Sequence, residues 1–126
     1  MAFVYYNANP ERIETSDCTV RAISKVLNQD WIESYWGICV QGAIEHKMPS
    51  TNSVWGSYLE RNGFKRKAIR LFCPECESVK KFCKYNPRGV YVLGTGTHVI
   101  AVINGDYYDI WDSGDEIPLY YFTKES

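Results

Sequence analysis

The residues from 89 onward are cut into short apolar runs by small-residue turns, and this limits the fold more than any other feature. Val90 to Leu93, His98 to Ile103, Tyr107 to Trp111 and Leu119 to Phe122 are each short enough for one strand. Gly94-Thr95-Gly96-Thr97 separates the first two, and Asn104-Gly105 is a strong hairpin signal between the next two. The first half carries a different period. Val20, Ala22, Ile23, Val26 and Leu27 fall on one helical face, with Ser16 or Asp17 as cap. Asp30 followed by Glu33 has capping-box spacing, so a second helix starts at Trp31 and ends by Met48-Pro49. Ser50 to Ser53 opens a third, carrying Val54, Trp55, Tyr58 and Leu59 and stopped by Asn62-Gly63. Phe64 to Phe72 reads as a strand, Ser78 caps a short helix holding Val79 and Phe82, and residues 1–16 read as an irregular lead-in. Helices first and antiparallel strands second predict an α+β fold, with N-terminal helices packed on one face of a small C-terminal sheet.

At 126 residues the chain has the length of one domain, spanning 1–126. Its net charge of −1 argues against a binder that works by neutralising phosphates. Two basic clusters, Lys65, Arg66, Lys67, Arg70 and Lys80, Lys81, Lys84, Arg88, read as solvated faces, and no nucleic-acid partner is expected. No apolar run approaches the ~20 residues needed to cross a bilayer, so no membrane partner is expected. The first residues lack the basic segment of a secretion signal, and five cysteines is an odd number. Reduced thiols in a cytoplasm are the expectation.

Three residues carry the chemistry. Cys18 sits in the first turn of a helix, where unpaired N–H groups and the helix dipole favour the thiolate over the thiol. His98 opens the apolar strand that follows a Gly-rich loop, a suitable place for a general base. The third is a carboxylate chosen by hairpin register. With a three-residue Asn104-Gly105-Asp106 loop, His98 lies opposite Asp112; with Asn104-Gly105 alone, it lies opposite Trp111, and Asp109 is one pair away on the same face. The first register gives a coherently apolar partner face, so Asp112 is preferred and Asp109 is the alternate. Cys73-Pro74-Glu75-Cys76 with Cys83 has half of a zinc-site pattern, and only Cys39 or His46 is available as a fourth ligand. No cofactor is implied.

The segments Asp17-Cys18-Thr19-Val20-Arg21-Ala22-Ile23, Gly96-Thr97-His98-Val99-Ile100-Ala101-Val102 and Tyr108-Asp109-Ile110-Trp111-Asp112-Ser113-Gly114, in that order, resemble the papain-like cysteine peptidase superfamily, in particular small bacterial and phage proteins placed in it. They are broadly similar to the bacteriocin-leader-processing peptidases, which share the Cys, His, Asp order. The resemblance covers the two ends of the chain and says little about residues 30–90. It implies a papain-like fold, Cys18 as nucleophile, His98 as general base and acid, Asp112 as the orienting residue, and a peptide or protein substrate cleaved at an amide or isopeptide bond. The superfamily usually places a Gln or Asn a few residues before the Cys as oxyanion donor. Arg12 stands six residues before Cys18, so Asn9 or Asn7 in the lead-in are the candidates. The same triad supports acyltransferase or transglutaminase chemistry, and the same scaffold without catalysis would be an interaction module.

Overall fold

The computed structural model describes residues 2–13, 15–69 and 77–124. The order of elements is β1 (Phe3–Tyr5), α1 (Cys18–Leu27), α2 (Trp31–Glu45), α3 (Asn52–Arg61), β2 (Phe64–Ala68), α4 (Val79–Tyr85), β3 (Val90–Gly94), β4 (Val99–Ile103), β5 (Asp106–Asp109) and β6 (Tyr120–Lys124). The architecture is α+β, with six strands in the order β1-β5-β4-β3-β6-β2. All pairs are antiparallel except β1 with β5, where Val4 lies beside Tyr108.

The sheet is not built from the C-terminal half alone. Phe3 to Tyr5, expected to be irregular, form one edge, and β2 forms the other. Nor do the helices share one face. Alternation along β3 and β4 sorts the side chains into two cores. Val92, Val99 and Ala101, with Tyr120 and Phe122 of β6, pack against Ala22 and Ile23 of α1, Ile38 of α2, and Val54, Trp55 and Leu59 of α3. Leu93, Ile100 and Val102 point the other way, onto Val79, Phe82 and Cys83 of α4. The sheet is therefore covered on both faces.

The helix starts follow local chemistry. The Asp30 side chain accepts the Glu33 N–H at 2.8 Å, and Ser78 accepts the Lys81 N–H at 3.2 Å, both as the sequence predicts. Asp17 also occupies an N-cap position, yet its side chain makes no capping bond, because it is committed elsewhere. At the β4–β5 turn, Asn104 and Gly105 take φ of 49° and 81°. Two successive positive φ values are the signature of the two-residue type I′ hairpin, whose twist matches the flanking strands. Ile103 accordingly pairs with Asp106 rather than with Tyr107. Among the described residues, no helix is long and apolar enough to cross a membrane.

Candidate active site

The hairpin register decides the site. With a two-residue turn, continuing the ladder outward from Ala101–Tyr108 sets His98 against Trp111 and Ile100 against Asp109. The His98 and Trp111 rings lie 5.0 Å apart, and His98 Nε2 meets Asp109 Oδ2 at 2.6 Å. Asp109 is therefore the carboxylate behind the ring, and the preference for Asp112 is corrected. Asp112 is exposed; its Oδ1 accepts from the Tyr107 hydroxyl at 2.5 Å and from the Gly114 N–H at 3.0 Å. It fastens the 112–114 turn to the sheet.

His98 is held by the loop before it. The Thr95 hydroxyl oxygen accepts the His98 N–H at 3.0 Å, and the Thr95 N–H donates to the His98 carbonyl at 2.9 Å. Gly96, at φ 97°, makes that reversal. Asp109 is held more firmly. It is 2% exposed; Oδ1 accepts the Ile110 N–H at 2.8 Å and Oδ2 accepts the buried Ser113 hydroxyl at 2.8 Å. Arg21 Nη2 approaches Oδ1 at 3.4 Å. A second nitrogen of Arg21 pairs with Asp17, which also accepts the Trp31 indole N–H at 2.9 Å. Thus the residue preceding Cys18 and the carboxylate behind His98 are tied to one buried guanidinium.

Cys18 heads α1 and lines the same cleft as the His98 ring, near enough for the two side chains to interact. Burial alone would push the Cys18 thiol up, but the bond from His98 and its charge, the Val99 N–H and the Arg21 charge bring it below its ordinary value. Burial likewise pulls His98 down, and this is outweighed by its bonds to Asp109 and Cys18 and by their charges, so that its value rises to about 9. For Asp109, burial is again overcome, here by His98 and then by Ser113 and the Ile110 N–H, and its carboxyl sits below the usual range. The arrangement favours thiolate, imidazolium and carboxylate together.

Cys18 and His98 open onto a cleft of about 480 Å³ lined by residues 16–20 and 96–99, by Tyr120 and by residues of α2, α3 and the loop between them, with Asp109 buried behind the ring. Tyr35, Ile38, Met48, Val99 and Tyr120 supply apolar wall, and Gly96 and Thr97 form the lip beside His98. Neither Asn7 nor Asn9 lines it. Asn9 is buried, with its side-chain oxygen accepting the Glu11 N–H at 2.9 Å, and the Asn7 oxygen accepts the Asn9 N–H at 3.0 Å. The Asn7 amide nitrogen is buried without a partner. The carboxamide that does line the cleft is Asn52, at the start of α3. Its oxygen accepts the Trp55 indole N–H at 3.0 Å, which leaves the amide nitrogen as a free donor end. In the sequence Asn52 is one of four consecutive cap formers, and nothing there separates it from Ser50, Thr51 or Ser53.

No protein-family model, curated protein or solved structure matches this chain. The chemistry of the site therefore rests on its own geometry.

Of the zinc candidates, Cys73 and Cys76 lie outside the described residues. Cys83 is 1% exposed in the α4 core, where burial pushes its thiol up to about 11. That is the setting of an apolar packing residue, not of a metal-bound thiolate. Cys39 lines the Cys18 cleft, and His46 caps the C-terminus of α2. Among the described residues, no three His, Cys, Asp or Glu side chains converge as a metal site would require.

Proposed function

We propose that this chain is a papain-like cysteine hydrolase that cleaves an amide or isopeptide bond in a peptide or protein. The observation that carries the reading is the His98 ring, bonded to buried Asp109 and sharing one cleft with Cys18 at the head of α1. In this scheme the Cys18 thiolate attacks the substrate carbonyl carbon, and the carbonyl electron pair moves onto oxygen. The Cys18 N–H at the head of α1 and the Asn52 amide are the donors to that oxyanion. His98 gives a ring proton to the departing amine as the C–N bond breaks, leaving a thioester. Water then attacks the thioester while His98 takes its proton; the acid is released and the sulfur returns as thiolate. Asp109 holds the ring orientation and supports its cationic form throughout. The apolar wall of Tyr35, Ile38, Met48 and Val99 suits an uncharged substrate side chain beside the scissile bond.

Cys39 is a built-in control, because it lines the same cleft and, among the described residues, has no hydrogen bond or ion pair to a basic group. Iodoacetamide near pH 6 should alkylate Cys18 at least about tenfold faster than Cys39, because only the thiolate reacts. His98→Ala should remove that advantage. A Cys18 rate no greater than that of Cys39, read by peptide mass spectrometry, would refute the assignment.

A further inference from the structure

One face of α2 is apolar and faces solvent. Ile32, Trp36, Val40 and Ile44 follow one another at intervals of four and form a single ridge; they are 47%, 62%, 55% and 56% exposed. Tyr35 flanks the ridge, its ring edge-on to Trp36, and Met48, three residues past the helix end, is 71% exposed. From 34 to 44 the helix has no charged residue. A helix face meant for water normally carries charge opposite its buried stripe. These six side chains expose on the order of 600 Å², at the upper end of what a monomer ordinarily leaves uncovered.

Beside the ridge is its complement. Trp36, Gly37, Val40, Tyr58, Arg61 and Asn62 line a hollow of about 380 Å³. Because position 37 has no side chain, the Tyr58 ring packs directly against the α2 backbone there and forms one wall of the hollow. The hollow can take an indole, between the Tyr58 ring and the Arg61 guanidinium.

We infer that this face of α2 is the interface with a second copy of the chain. A two-fold contact needs a surface that is complementary to itself, with projection and receptor on the same patch. Trp36 and the Gly37 hollow satisfy that on adjacent residues. A ridge of residues four apart packs against its own copy with the helices crossing near −50°. Two faces of this size bury about 1,200 Å² together, the lower bound of stable specific interfaces. Tyr35 and Met48 belong both to this face and to the cleft wall, so pairing also brings the second copy to the mouth of each cleft. The inference is independent of the proposed hydrolase activity.

Sedimentation equilibrium of the full chain, up to about 100 μM, should give twice the 14.6 kDa chain mass. Trp36→Glu combined with Val40→Glu should return it to the single-chain mass with an unchanged far-ultraviolet circular dichroism spectrum, since both positions are exposed. Tyr5→Glu, an exposed aromatic on the sheet edge, should leave the dimer intact. A wild-type chain that stays at the single mass overturns the inference, as does a dimer that survives the double substitution. A single-mass chain that cosediments with phosphatidylglycerol vesicles also overturns it, and assigns the face to a lipid surface.

Discussion

Asp109 and Asp112 stand three residues apart and do different work. Asp109 is buried against His98, whereas Asp112 is exposed and bonded to the Tyr107 hydroxyl. Removing the charge from each separates the two roles. The His98 ring should titrate near pH 9 in the wild-type chain, followed by its imidazole proton resonances. Asp109→Asn should bring that midpoint down toward the ordinary value of 6.5, because burial then acts with less opposition. Where hydrolysis can be followed, the same change should slow it by about 10²–10⁴-fold, since the ring loses its orienting partner. Asp112→Asn should leave the His98 midpoint in place and change stability little, because the side chain is exposed and its amide oxygen can still accept from Tyr107 and Gly114. A midpoint that moves with Asp112 and not with Asp109 would reverse the two assignments. The sequence narrowed the choice to these two residues, but apolar patterning of the partner face favoured the wrong register. The turn residues held the better signal: Asn104-Gly105 prefers the two-residue form through its φ requirements, and that preference outweighs a tidy apolar face.

At the level of elements, α1 links the two ends of the site. Cys18 heads the helix, and Arg21, one turn on, reaches Asp17 and Asp109 with both side-chain partners almost fully buried. A cation among Ala22, Ile23 and Ser24 on a buried face is costly unless it is paired. Arg21→Met should therefore take the cation from Asp17, leave Asp109 with His98 as its remaining charged partner, and lower stability by about 3 kcal/mol in urea unfolding. It should also shift the onset of Cys18 alkylation to higher pH, because the Arg21 charge supports the thiolate. Arg21→Lys should recover only part of either effect, since one ammonium cannot divide itself between carboxylates as a planar guanidinium does. Unchanged stability in the Met variant would show that the bridge is incidental. The helices themselves were largely readable: the Asp30 and Ser78 caps and the Asn62-Gly63 stop lie where their local chemistry puts them. Less readable were the features set by distant partners. β1 is three residues long and exists through its pairing with β5, about a hundred residues further on. The side taken by α4 depends on which face of β3 and β4 remains uncovered, which periodicity does not encode.

For the whole molecule, the order Cys18, His98, carboxylate was legible along the chain, whereas their meeting depended on α1 packing against β4. Folding brings these charges together, so global stability must report on them. His98 is raised from 6.5 in the unfolded chain. A raised group contributes stability that is fully present below its unfolded value and is lost as pH rises through its folded value. In the wild-type chain Cys18 works in the opposite sense: lowered from 9.0, its contribution is present above that value and is lost as pH falls through its folded value. Below pH 9 the two have opposite slopes and mask one another wherever both titrate. Cys18→Ala removes the sulfur's titration and leaves the Asp109 bond and charge to hold His98 up. Urea unfolding of Cys18→Ala should therefore show stability declining as pH rises from about 6.5 through the folded value of His98, at no more than about 1.4 kcal/mol per pH unit for one proton. Adding Asp109→Asn removes the acceptor that holds the ring cationic and should flatten that decline. Apart from Asp109 itself, whose lowered carboxyl titrates well below this range, every other titrating group, including buried Cys83, is common to both variants and cancels in their difference. Equal slopes would mean that Asp109 does not hold the His98 proton, and the chain would lack the charge arrangement on which a thiolate–imidazolium site depends.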